Sequence, residues 1–311
     1  MSKYLILFLK ISVSVAALAY IGYKLQAEGA GIWLQIGRFD AKDILFTLLC
    51  CLLLLLNQGL EAKKWQILVQ KCYPDLTFST AIRAVLAGNT AGIFTPNRIG
   101  EYAGRVYFLP EGKRIEATAL TVVDRFFQML VTLCLGWVAA YSLPLPYSSP
   151  ALFHFGLIAM GIACLGLSFL CVFPHKIVAW AAQKPLFHRW KVIEKSLFVL
   201  SQTLSKTLAK VFLLSFLRNL TFSLQYYLLM LAFEYDKSVY LGFMMIWLIY
   251  LIKSLIPSIS LAELGIRESV ALAVMQFFGV AAFTAISSTF LLYLINIALP
   301  AVAGVFFIQK K

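Results

Sequence analysis

The chain is predicted to be an all-α polytopic integral membrane protein of two inverted repeats, each with a Pro-broken, re-entrant helical hairpin. Three observations point there. Of 311 residues, 61% are hydrophobic and 13% charged, with mean hydropathy +0.84, whereas soluble domains carry about 25% charge. Full-length apolar runs, each near the ~20 residues that span a hydrocarbon core, fall at 4–23, 43–60, 118–141, 151–173, 211–232 and 284–308. A proline-containing stretch then recurs in each half. Thr95-Pro96-Asn97-Arg98-Ile99-Gly100-Glu101 leads to Arg105, and Ile256-Pro257-Ser258-Ile259-Ser260-Leu261-Ala262-Glu263 leads to Arg267.

Taken in order, the first run follows Lys3 and contains Ala17-Leu18-Ala19, as a signal peptide does. Lys10 interrupts it and it continues to Tyr23, so it is read as a retained span. Next come the run at 43–60, a pair of apolar segments at 76–95 and 99–116 joined at Pro96, and the run at 118–141. The uncharged Leu143-Pro144-Leu145-Pro146 connection reads as outward-facing. The second half repeats the order: 151–173, 211–232, a pair at 239–256 and 262–279 joined at Pro257, and 284–308. The pseudo-repeats are thus 1–142 and 150–311 within one membrane domain of residues 1–311. Between the first two elements of the second half lies a basic stretch, 174–210, with Lys176, Lys184, Arg189, Lys191, Lys195, Lys206 and Lys210 against Glu194. Ile193, Leu197, Leu200, Leu204 and Leu208 recur there at helical spacing. Two readings stay open: a helix lying on anionic headgroups, or a linker helix packed on the bundle.

The formal charge of +13 suggests nucleic acid at first sight. The basic residues instead flank apolar runs, as positive-inside topology requires, so no nucleic-acid partner is expected. Lys63, Lys64, Lys71 and Lys113-Arg114 read as cytoplasmic, as do the stretch 174–210 and Lys310-Lys311. One crossing over 76–116 would put the first two groups on opposite sides. A re-entrant hairpin keeps them together, and two full helices per pair have the same parity. Both termini are expected in the cytoplasm and the protein in the cell membrane.

Cys50, Cys51, Cys134, Cys164 and Cys171 fall in apolar runs without a C-x-x-C pair, and His154, His175 and His188 are scattered. They read as apolar fillers, and no metal or cofactor is expected. No nucleotide-binding, nucleophile-elbow or zinc-protease motif occurs, so the chain is not expected to be an enzyme or an ATP-driven pump.

The candidate site is built on the two breaks. Glu101/Arg105 and Glu263/Arg267 are spaced i,i+4 and share a helix face. They could be internal ion pairs that let charge sit in low dielectric. Buried pairs are seldom better than leucine for stability, however, and charge beside a broken membrane helix usually marks a substrate path. Pro96 and Pro257 remove a donor; Gly100, Gly104 and Gly265 allow close approach. A helix starting after each break aims free N–H groups at an anion. Arg98, Arg105 and Arg267 can grip phosphate bidentately. Asp124 and Arg125, one to two turns into the next helix, could pair with Glu101 or Arg105 or could be interfacial. Glu268, Lys253 and Asn89 lie near the same breaks. Asn57, Gln58, Arg218 and Asn219 read as helix–helix hydrogen-bonding contacts.

The first motif with Asn89 and Arg105, together with Pro257 and Glu263-Leu264-Gly265-Ile266-Arg267-Glu268, resembles the lysylphosphatidylglycerol synthase transmembrane family, also described as flippase-like, over roughly residues 5–308. The resemblance implies a membrane domain that moves an aminoacylated phospholipid between leaflets while a separate soluble domain attaches the amino acid. No synthase segment is present in the sequence, so lysyl transfer is not expected of it. Ala262-Glu263 stands where the family pattern has a glycine before Leu264-Gly265, which leaves substrate identity open.

The expected function is therefore movement of a lipid bearing an anionic phosphate headgroup, phospholipid or polyprenyl-phosphate-linked. Arg98, Arg105 and Arg267 would meet the phosphate, and Glu101 and Glu263 would hold them. Membrane lipids are the expected partners, with a separate lipid-modifying transferase as a candidate. The rival readings are an intramembrane lipid-modifying enzyme using Glu101, Asp124 or Glu263, and a scaffold for a cell-envelope synthase.

Overall fold

The computed structural model describes residues 39–93, 98–144, 205–256 and 262–309, with a few isolated positions besides. The expected span at 4–23, most of that at 151–173, residues 174–204, both termini, Pro96 and Pro257 lie outside the described residues. Within them all regular structure is helical. Helix α1 (Ala41–Val69) begins at a capping box: the Asp40 carboxylate accepts from the Lys42 and Asp43 amides at 2.9 Å, and Asp43 returns the contact to the Asp40 amide. Its 29 residues outreach a ~30 Å hydrocarbon core. Leu45, Leu48, Leu52, Leu55 and Leu56 are exposed along it, a surface suited to lipid rather than water.

The first Pro-broken hairpin consists of α2 (Phe78–Ile93) and α3 (Gly100–Val106). At 16 and 7 residues these helices reach about 24 and 10 Å, so neither spans alone. Small residues let them touch backbone to backbone. A side chain at Gly104 would meet the Ala87 carbonyl and Gly88 Cα at 2.8 Å, and one at Gly88 would meet Arg105 Cγ at 2.7 Å. The base is closed by Tyr73, whose hydroxyl donates to the Pro110 carbonyl at 2.9 Å and accepts from the Lys113 amide at 3.2 Å. The chain therefore enters and leaves the hairpin at one end of the bundle. The apolar run expected to continue to 116 stops being helical after Val106, because Pro110 and the left-handed Gly112 (φ 113°) turn it into a connection.

The next described elements are α4 (Arg114–Ser142), α5 (Ser205–Ala232), α6 (Val239–Leu255) and α7 (Ala262–Phe277). The last two form the second hairpin. Residues Ser205 to Lys210, read as part of the cytoplasmic amphipathic stretch, form the first turns of α5. Then α8 (Ala282–Tyr293) runs through a π-turn (Leu294–Ala298) into α9 (Leu299–Gln309). The π-turn has a cause in the sequence: Pro300 has no N–H to continue the α pattern, and Leu299 donates five residues back, to Leu294.

The packing centres on α1 against α5. Around that pair, α2 packs on α9 and α4 on α6 through close approaches at Gly304 and Gly136, the latter against the Leu251 side chain. Thr90 Oγ1 donates to the Ala301 carbonyl at 2.6 Å, fixing α9 on α2. One apolar core lies among Trp65, Leu68, Val85, Leu120, Phe127 and Val211. A second surrounds Tyr226, Met245, Ile249, Ala271, Met275 and Leu292. Charged side chains are also buried between the helices.

Candidate anion site at the first helix break

Four helices contribute those charges. In α1, Glu61 and Lys64 project from one face, three residues apart, with Nζ 3.3 Å from Oε2. In α3, Arg105 Nε donates to Glu101 Oε1 at 3.1 Å, the i,i+4 pair expected from the sequence. From α4, Asp124 accepts from Arg105 Nη1 at 3.3 Å and lies 3.2 Å from Lys64 Nζ. From α5, Arg218 Nε lies 3.0 Å from Glu61 Oε2, with its guanidinium 4.9 Å from the Phe222 ring centroid. Arg125 joins the two glutamates, meeting Glu61 Oε1 at 2.7 Å and also Glu101 Oε1. Arg105 meets Glu61 as well, so one guanidinium ties three carboxylates from three helices.

The break places one further cation. Arg98 takes a left-handed backbone (φ 57°), unusual for a residue with a side chain. Its Nη2 donates to Asn89 Oδ1 at 3.0 Å, and its Nε lies 3.8 Å from Glu101 Oε2. Asn89 is steadied in turn by donating to Gln58 Oε1 at 3.2 Å. Thr95 Oγ1 accepts the Gly100 amide at 2.7 Å, which caps the start of α3. A side chain at Gly100 would run into the Ala91 carbonyl, so only glycine fits there.

Among the described residues, this cluster holds five cations, Lys64, Arg98, Arg105, Arg125 and Arg218, against three carboxylates, Glu61, Glu101 and Asp124. The cations differ in access. Lys64 and Arg105 are fully buried, whereas the side chains of Arg98, Arg125 and Arg218 are 28%, 25% and 11% exposed. Uncompensated charge inside a bundle is costly. Such exposure as the cations keep is on Arg98, Arg125 and, least, Arg218.

The sequence-derived candidates Arg98, Glu101, Arg105, Asp124 and Arg125 thus come together, with Gly100 at the helix start. Asp124 is fully buried and cross-linked, which decides against the interfacial reading. The second motif is carried by another helix. Gly265, Arg267 and Glu268 lie on α7, with Arg267 and Glu268 close to Tyr226, and Arg267 also to Tyr250. The Glu263 side chain, Pro96 and Pro257 fall outside the described residues. Lys64, grouped in the sequence with Lys63 and Lys71 as a cytoplasmic charge, is a fully buried member of the site, whereas Lys63 beside it is exposed. Arg218 is likewise more than a helix contact. Glu61 is not among the sequence-derived candidates. Its signal was the polar stripe Asn57, Glu61, Lys64 at i, i+4 and i+7 of an apolar helix.

Compared with known families, residues 7–304 match the model described as "Lysylphosphatidylglycerol synthase TM region". No curated protein and no solved structure matched. Four described helices, Ala41–Val69, Arg114–Ser142, Lys206–Ala232 and Ala282–Phe307, are long and apolar enough to cross a bilayer. With the match running almost end to end, this multi-pass membrane protein belongs to the lysylphosphatidylglycerol synthase transmembrane family, membrane regions associated with lipid synthesis or translocation.

Proposed function

We propose that the chain moves a lipid with an anionic phosphate headgroup between the leaflets of the cell membrane. The observation that carries this reading is the cluster which, among the described residues, has two more cations than carboxylates, and whose partly exposed cations are all arginines. Arg98, Arg125 and Arg218 are the proposed phosphate contacts, since guanidinium pairs with phosphate through two charge-assisted bonds. Arg105 is assigned a different role from the one its sequence position suggested. With no exposure and three carboxylate partners, it holds the site together rather than meeting the ligand. Glu61 and Glu101 orient the arginines. Each of the three carboxylates is already held by cations, an arrangement suited to binding more than to proton transfer, so we assign translocation and not lipid chemistry.

Alternating access is proposed to follow from inverted repeats, 1–142 and 150–311. Matching α1 with α5, α2 with α6, α3 with α7, and α4 with α8–α9 turns the observed pairs into one another: α2–α9 into α6–α4, α1–α4 into α5–α8, and α3–α4 into α7–α8. Both termini and the Tyr73 end of the hairpin are proposed to face the cytoplasm, and a separate lipid-modifying transferase is proposed to supply the substrate.

The test is leaflet exchange in proteoliposomes. Purified protein should accelerate exchange of a labelled phospholipid or polyprenyl phosphate over protein-free vesicles. Arg98→Gln and Arg125→Gln should each slow it about tenfold or more, the loss of one charge-assisted contact of about 1.5–3 kcal/mol. Absence of exchange with either lipid class, or exchange indifferent to both substitutions in folded protein, would overturn the reading.

A further inference from the structure

A second polar cluster lies where α1, α5 and the π-turn meet, and it is built from neutral amides. Asn57 and Gln225 are fully buried and Asn296 is 5% exposed. The outer two amides have their orientation set by backbone. Gln225 Nε2 donates to the Cys50 carbonyl at 2.9 Å and Asn296 Nδ2 to the Leu292 carbonyl at 3.5 Å, so each presents its oxygen to Asn57. Both oxygens converge on the Asn57 amino group, at 3.2 and 3.1 Å. Asn57 Oδ1, also buried, has no hydrogen-bond partner among the described residues. An orphaned buried acceptor of this kind costs about 1–3 kcal/mol.

The π-turn also departs from the α pattern beside this cluster. Leu299 donates to Leu294 and Pro300 cannot donate, so the carbonyls of Ile295 and Asn296 lack the amides that a regular helix would aim at them. Backbone carbonyls released from regular helical pairing coordinate sodium in other transporters. One turn along α1, about 6 Å in rise, stands the Glu61 carboxylate.

We infer that Asn57, Gln225 and Asn296 form a binding site for a monovalent cation, Na⁺. The Asn57 amino group now occupies the place of positive charge between two inward-facing oxygens. Turning that side chain about its last bond replaces the amino group with Oδ1 and leaves three amide oxygens facing one point. A neutral oxygen set with no carboxylate of its own suits a monovalent ion, since divalent ions in proteins are usually held with carboxylates. The site is separate from the arginine cluster, and cation binding does not depend on which lipid, if any, the arginines hold.

The experiment is equilibrium binding of ²²Na⁺ to the purified full chain in lipid nanodiscs, in choline chloride at constant ionic strength and without added substrate lipid. Saturable uptake, displaced by unlabelled Na⁺ and not by choline, is expected. Asn296→Ala should weaken it at least tenfold. Asn57→Asp, which adds a carboxylate at the centre, should tighten it at least tenfold, a gain no purely structural hydrogen-bond role would produce. Monodispersity and helical content are checked for each protein. No saturable ²²Na⁺ in folded wild-type protein, or an affinity unmoved by both substitutions, would show a buried amide network with no ion and would overturn the inference. Lipid exchange is measured separately, so either assignment can fail alone.

Discussion

Replacing Arg105 by methionine removes the guanidinium that joins Glu61, Glu101 and Asp124 while keeping an unbranched stem of similar length. All four side chains are 5% exposed or less, so water cannot compensate for the loss. Breaking a buried ion pair by removing one partner costs about 3–5 kcal/mol, because the remaining charge keeps its desolvation penalty. Against a typical total of about 5–15 kcal/mol, that is a substantial share of the stability. Lys64, Arg125 and Arg218 still face the same carboxylates, which sets the expectation at the lower end, about 3 kcal/mol. Glu101→Gln combined with Arg105→Met removes a charge from each side and should recover at least about 1 kcal/mol of that loss as coupling. The assay is denaturant unfolding in mixed micelles followed by far-ultraviolet circular dichroism. If Arg105→Met lies within about 0.5 kcal/mol of wild type, or if the double variant is simply additive, Arg105 is not the structural centre of the cluster.

Three further outcomes are expected. Gly104→Val should destabilise the protein by at least about 1–3 kcal/mol, the usual cost of overpacking, because its Cβ alone would meet the Ala87 carbonyl and Gly88 Cα at 2.8 Å; thermal unfolding tests this. Thr95→Val deletes the acceptor for the Gly100 amide and should cost about 1 kcal/mol, with lipid exchange slowed more than stability alone explains. Single cysteines at the exposed Lys71 and Lys113, in an otherwise cysteine-free background, should be labelled from the same side by an impermeant maleimide; labelling from opposite sides would contradict a hairpin whose two ends meet at Tyr73.

The helical class and most spans were legible because hydropathy reports directly on lipid contact. Each of α1, α4, α5 and α8–α9 covers an apolar run picked out by length alone. The pairing of Glu101 with Arg105 was legible from spacing, while for Asp124 the sequence left pairing and an interfacial position equally open. What local sequence concealed was depth. Lys64 beside Lys63 reads as one basic flanking signal, yet one is buried and the other exposed on a helix that runs on to Val69. Arg218 and Glu61 meet only because α1 packs on α5 across more than 150 residues of sequence, which no local pattern encodes. The shortness of α3 was written in Pro110 and Gly112, but an unbroken apolar average across 99–116 masks such stops. Gly88-x-x-x-Gly92 and Gly100-x-x-x-Gly104, the small-residue spacing that lets the hairpin close, were present in the sequence and carried a packing signal that hydropathy overlooks.

The π-turn before Pro300 also acts as a phase shifter. One residue beyond the α pattern turns everything after it by about 100° around the helix axis. Before the turn, Thr289 reaches Tyr226 on α5. After it, Ala301 and Gly304 face Thr90 on α2. A single rod thereby presents different stripes to two neighbours that a straight α-helix could not serve from the same sequence. Deleting one residue from Leu294–Ala298 would rephase the last eleven-residue helix, swing the Gly304 notch away from Thr90, and leave the first hairpin without the wall it leans on.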